Sequence, residues 1–160
     1  MSGLANGTEF PALELPAVGG GMLRLPQALE GAWGVVLVYR GHWCPYCNAQ
    51  LNAFQRALPA LQDEGIQVAA LSVDSEDRAA EVVHRYNIGF PIGYGADADV
   101  VSRTLQSYAD EDPVYLESSG FLLDPSGRIV VAVYSSNAIG RLLPEDVRSM
   151  VRYLRQPKAA

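Results

Sequence analysis

The chain has 160 residues, enough for one domain with a full-sized core and too few to favour two. Its net charge of −6, with Lys and Arg scattered along the chain, works against binding to nucleic acid or to an anionic membrane surface. No apolar run approaches the ~20 residues that cross a bilayer, and residues 1–8 lack the positive charge and apolar segment of a secretory signal, so a cytoplasmic location is expected.

Residues 1–30 are rich in Gly and Pro, and Gly19-Gly20-Gly21 between the apolar pieces at 10–15 and 22–25 predicts a small hairpin. The run at 35–39, Val-Val-Leu-Val-Tyr, reads as a strand buried on both faces. A loop follows, then Cys44, Cys47 and a helical stripe of Leu51, Phe54, Leu58 and Leu61 that Gly65 closes. Pro59 falls inside that helix and is expected to kink it. Residues 66–73 give a second buried strand, so strand, helix and strand form a right-handed βαβ unit.

Asp74 or Ser75 can cap the next helix, whose inner face carries Ala79, Val82, Val83 and Tyr86. A further helix is expected over 99–108, with Val101, Leu105 and Tyr108 on one side. Residues 121–123 and 129–134 flank Asp124-Pro125-Ser126-Gly127, the residue preference of a type I turn, which predicts an antiparallel hairpin. A last helix starts near Pro144 and is expected to bury Val147, Met150, Val151 and Leu154. The order gives an α/β sandwich: a central mixed sheet flanked by helices, with an N-terminal hairpin and a helical insertion before the C-terminal hairpin. A single domain over 1–160 is expected.

The chain has only two cysteines, three positions apart, at Cys44-Pro45-Tyr46-Cys47. In a reducing compartment such a pair reads as working thiols rather than a structural staple. Pro45 suits the first position of the helix, so both sulfurs fall where unpaired amides and the helix dipole favour negative charge. The thiolate is the reactive form, and this placement lowers a thiol's pKa. Cys47 lies four residues before Leu51 on the core-facing stripe, with Cys44 a turn earlier at the rim. On burial alone Cys44 is then the accessible attacker and Cys47 the shielded partner.

Arg40 and His42 precede the pair and can add positive charge, and Trp43 offers an apolar shoulder. His42 reads as readily as a solvated loop residue as a general base. A structural zinc ion would want four ligands, and only His42 and His84 could join the sulfurs.

The stretch from residue 35 through Arg40-Gly41-His42-Trp43-Cys44-Pro45-Tyr46-Cys47 resembles the redox segment of peroxiredoxin-like proteins of the alkyl hydroperoxide reductase/thiol-specific antioxidant family, in the thioredoxin-like superfamily. Residues 121–129, Phe-Leu-Leu-Asp-Pro-Ser-Gly-Arg-Ile, are similar to the F-x-x-D-x-x-G-x-[IV] hairpin of that superfamily. The tetrapeptide is also that of many glutaredoxins. The resemblance implies a thiol-dependent oxidoreductase acting on a hydroperoxide or a disulfide. It implies re-reduction by a thioredoxin- or glutathione-type thiol, no metal or organic cofactor, and relatives that often form homodimers. Against the family pattern P-x-x-x-[TS]-x-x-C, Arg40 takes the Pro place and Cys44 the Thr place, and Ser118 falls nearest the place of a family arginine. That frame names Cys47 as the attacker, so both assignments stand at this point.

Overall fold

The computed structural model describes residues 3–157; the single-domain span of 1–160, and the start of the segment read for a secretory signal, lie partly outside them. In chain order the elements are β1 (Leu13–Pro16), β2 (Met22–Leu25), β3 (Trp33–Val38), α1 (Pro45–Asp63), β4 (Ile66–Leu71), α2 (Glu76–Tyr86) and β5 (Ile92–Gly93). They continue with α3 (Ala98–Leu105), β6 (Ala109–Glu111), β7 (Val114–Leu116), β8 (Ser119–Leu123), β9 (Ile129–Tyr134) and α4 (Pro144–Arg155). The central sheet runs β5-β4-β3-β8-β9. β3, β4 and β5 pair parallel, and β8 pairs antiparallel with both β3 and β9.

Alternation along β3 splits the core into two layers. Val35 and Leu37 face α1, α2 and α4, whereas Val36 and Val38 face α3 and the β1–β2 hairpin. The α1 stripe of Leu51, Phe54, Leu58 and Leu61 is buried as its spacing predicts, and Pro59 lies inside the helix. Gly65 adopts φ 75° just past α1 and its amide donates to the Gln62 carbonyl at 3.0 Å, the left-handed close that glycine suits. In the β8–β9 turn the Gly127 amide donates to the Asp124 carbonyl at 2.9 Å.

Three expectations change. The helix over 99–108 starts one residue earlier and stops at Leu105, because Gln106 turns left-handed (φ 57°), and this leaves Tyr108 half-exposed. Of the four residues expected to be buried on α4, Val147 and Val151 reach the core, whereas Met150 and Leu154 stay exposed. The insertion also holds the edge strand β5 and the β6–β7 hairpin, both too short for a period to reveal. Among the described residues no helix is long and apolar enough to cross a membrane.

Candidate active site

β3 delivers the chain through Tyr39 and Arg40 to the N-terminus of α1. Cys44 is the N-cap itself: its backbone is extended (φ −89°, ψ 113°), and its Sγ accepts from the Cys47 amide at 3.3 Å. Pro45 follows in the first turn, where its missing N–H leaves no bond unmade. Gly41 makes the approach possible, since a methyl group there would collide with the Trp43 indole.

Capping turns the Cys44 sulfur inward. Cys44 is 0% exposed, as is Cys47, so the expected accessible rim position is corrected. Two guanidinium groups close over the pair. Arg40 donates to Cys47 Sγ from its backbone amide at 3.2 Å and approaches Cys44 Sγ with its guanidinium at 3.8 Å. Arg141, from the loop after β9, reaches Cys47 Sγ at 3.2 Å and Cys44 Sγ at 3.7 Å.

Both arginines are fixed. Arg40 Nε donates to buried Glu117 at 2.7 Å and its terminal nitrogen to the Tyr115 hydroxyl at 3.1 Å. Its guanidinium carbon lies 5.0 Å from the Trp43 ring and 5.1 Å from the Tyr115 ring, which pack edge to face. Arg141 donates to the Ala138 carbonyl at 2.9 Å and to Gln50 Oε1 at 3.0 Å. Gln50, buried on α1 one turn beyond Cys47, in turn donates to the Leu142 carbonyl at 2.8 Å.

His42 takes another place. Its amide donates to Asp74 at 2.8 Å and its Nδ1 lies 3.1 Å from the other Asp74 oxygen, so among the described residues its ring meets a carboxylate and not a sulfur. Asp74 therefore holds the loop, and Ser75 caps α2. Half-exposed Trp43 and Tyr46 flank the pair. No cluster of three or more His, Cys, Asp or Glu placed for a metal ion occurs among the described residues.

The electrostatics separate the two sulfurs. Burial pushes the Cys44 thiol up, but the Cys47 thiol and amide, Arg40 and Arg141 outweigh it, so its pKa falls below the ordinary thiol value. Burial and the bond to Cys44 push Cys47 up to about 11. Of the two sulfurs, Cys44 is therefore the one whose thiolate this helix N-terminus favours, and Cys47 the one that holds its proton more tightly. Burial raises Glu117 above the usual carboxylate range, while Arg40 pulls the other way.

Sequence reasoning named Arg40, His42, Trp43, Cys44, Pro45 and Cys47, and the structure gathers all but the His42 ring around the sulfurs. Sequence reasoning missed Gln50, Asp74, Tyr115, Glu117 and Arg141. Arg141 supplies the guanidinium that the stretch around Ser118 does not, and no local pattern marks a residue 94 positions from Cys47.

A mixed five-stranded sheet with a cysteine pair at the N-terminus of the first core helix defines a dithiol protein of the thioredoxin-like fold. Residues 6–132 match the AhpC/TSA family. Peroxiredoxins of Methanothermobacter thermautotrophicus and Methanothermobacter marburgensis are 31% and 30% identical to it over 155 residues, covering 93% of this chain and 72% of theirs. The chain belongs to the AhpC/TSA family and is a peroxiredoxin, a thiol-dependent peroxidase. Among solved structures, peroxidoxin BcpB of Mycobacterium tuberculosis superposes with a TM-score of 0.80 at 15% identity, over 94% of this chain and 98% of that one. AhpC of the same organism gives 0.78 at 20% identity, over 95% and 93%. At these identities the structures speak for the fold.

Proposed function

We propose that Cys44 is the sulfur that attacks a hydroperoxide and that Cys47 resolves it. The observation behind this reading is the N-cap position of Cys44, whose Sγ receives the Cys47 amide and faces both guanidinium groups. Its thiolate attacks one peroxide oxygen: the S–O bond forms, the O–O bond breaks, and the departing alkoxide or hydroxide takes up a proton. Cys44 becomes a sulfenic acid. Cys47 then attacks Cys44, the S–O bond breaks, water leaves and the Cys44–Cys47 disulfide closes. An external thiol of the thioredoxin or glutathione type returns two electrons in a reducing, cytoplasmic setting. Arg40 and Arg141 are the positioning and charge-stabilising residues, Trp43 and His42 hold the loop, and the chain acts as one domain.

Single-turnover kinetics test the assignment. Cys47→Ser should react once with hydrogen peroxide and leave a dimedone-trappable sulfenic acid on Cys44, while Cys44→Ser reacts no faster than a free thiol. The reverse pattern assigns attack to Cys47. Wild-type thiols that hydroperoxides oxidise only at the free-thiol rate would remove hydroperoxide as the substrate.

A further inference from the structure

The two guanidinium groups at the sulfurs are held in different ways. Arg141 is fixed by neutral acceptors, the Ala138 carbonyl and Gln50 Oε1, and among the described residues it has no carboxylate partner. Its charge therefore bears undivided on the cysteine pair. Each nitrogen of the Arg40 guanidinium meets a different group. Nε donates to Glu117 at 2.7 Å, one terminal nitrogen to the Tyr115 hydroxyl at 3.1 Å, and the other approaches Cys44 Sγ at 3.8 Å. Glu117 lies in the link between β7 and β8, where its amide donates to the Tyr108 carbonyl at 3.0 Å. Its side chain is only 3% exposed.

Burying a carboxylate here is costly, and holding Arg40 does not demand one. The Tyr115 hydroxyl and the Trp43 and Tyr115 rings already fix this guanidinium. Arg141 shows that a neutral oxygen can serve as the acceptor. What the carboxylate adds is charge. With Cys44 as the thiolate, the two guanidinium groups face two anions, the sulfur and Glu117. With the Cys44–Cys47 disulfide closed, the sulfur charge is gone and Glu117 remains. Were Glu117 neutral, both arginines would favour the thiolate without opposition. The other charged neighbours are few. Burial raises the proton affinity of Glu117, Arg40 and Arg141 oppose that, and Asp110 on β6 adds to it. Beyond burial, Cys44 feels Cys47, Arg40 and Arg141, while the His42 ring faces Asp74.

We infer that Glu117 restrains the Cys44 thiolate by sharing the charge of Arg40 with it, so that the pair is not trapped in its reduced form. A thiolate held too firmly is a weak nucleophile, and a dithiol held too firmly resists closing to a disulfide. Glu117 bonds Arg40 and, among the described residues, no sulfur, so it is a positioning residue that acts through Arg40. This deepens the reading of Cys44 as the reactive thiolate and does not depend on which substrate that thiolate attacks.

The decisive variant is Glu117→Gln, which keeps an oxygen for Arg40 and removes the charge. In a Cys47→Ser background, the pH profile of attack on hydroxyethyl disulfide reads Cys44 alone: its thiolate forms an S–S bond and mercaptoethanol leaves. Adding Glu117→Gln should move the midpoint down by about one pH unit. A weaker base is also a weaker nucleophile, so the plateau should fall about threefold while the rate well below the midpoint rises about threefold. The two profiles then cross. A midpoint that moves up, as a loosened Arg40 would give, overturns the inference, and so does an unmoved one. Glu117→Asp keeps the charge, and its midpoint should stay within about 0.3 pH unit of the parent; a midpoint matching Glu117→Gln overturns the role of charge. Should Glu117→Gln fail to fold, Glu117→Met, uncharged and of similar volume, carries the same expectations. With both cysteines present and the pH above the midpoint, glutathione buffers read the pair. There Glu117→Gln should shift the equilibrium about tenfold toward the dithiol, a potential about 30 mV more positive, and an unchanged equilibrium overturns the inference. None of these readings uses a peroxide. If hydroperoxides prove to react at Cys47, the order of attack given above fails and the role of Glu117 is still decided here.

Discussion

The N-termini of α1, α2 and α3 use one capping geometry for different ends. Ser75 accepts from the Arg78 amide at 3.3 Å and Asp97 from the Val100 amide at 3.1 Å, each three residues on. Cys44 makes the same reach to Cys47 with sulfur at 3.3 Å. The first turns differ more. α2 carries Glu76 and Asp77 and α3 carries Asp99, carboxylates that satisfy the helix dipole permanently. The first turn of α1 carries none. Its dipole is left for the one anion that can come and go, the Cys44 thiolate, and two guanidinium groups add to it. An ordinary cap stabilises a helix; this one stores reactivity.

The comparison can be broken by moving its parts. With Cys44 and Cys47 both replaced by Ser, Ser75→Cys places a thiol on an N-cap without the arginines. Its reaction with hydrogen peroxide should be slower than that of Cys44 in Cys47→Ser by about 100-fold, because the donors aimed at the reacting charge are missing. Matching rates would mean that capping alone suffices. In the native site, Arg141→Gln removes positive charge that favours the thiolate, so the pH midpoint of Cys44 alkylation should move up. A shift of about one pH unit lowers the alkylation rate about tenfold at pH values well below the midpoint and little above it; an unmoved midpoint makes Arg141 structural.

Tyr46→Glu puts a carboxylate into the first turn of α1 at an exposed position. It should slow alkylation of Cys44 by about threefold while leaving the helix equally or slightly more stable, since the dipole that favours the thiolate favours Glu as well. Thermal melting and alkylation rates that move in the same direction would contradict the trade. The smallest effect on chemistry is expected from Asp97→Ala, which should destabilise the fold by about 1 kcal/mol in denaturant titration and leave thiol reactivity unchanged.

The parts of the site that were legible in the sequence are those close together along the chain. The pair, Pro45 in the first turn and the stripe from Leu51 to Leu61 all express a helical repeat that starts at Cys44. The strand before them and the Asp124–Gly127 turn are equally local. Elements shorter than a period, β5 and β6–β7, escaped, and so did the end of α3, where one left-handed residue, Gln106, outweighs a continuing apolar pattern.

Charge and exposure at the sulfurs depend on residues from elsewhere in the chain. By itself the sequence determined that two thiols meet the N-terminus of a core helix, because backbone geometry places residues i and i+3 on one turn whatever surrounds them. Only the tertiary structure decided that Cys44 is buried rather than open. It also decided that Arg141 and the Arg40–Glu117 pair bear on the sulfurs. Those contacts join positions up to 97 residues apart, and they follow from how β8, β9 and the loop beyond pack against α1, which no local repeat records.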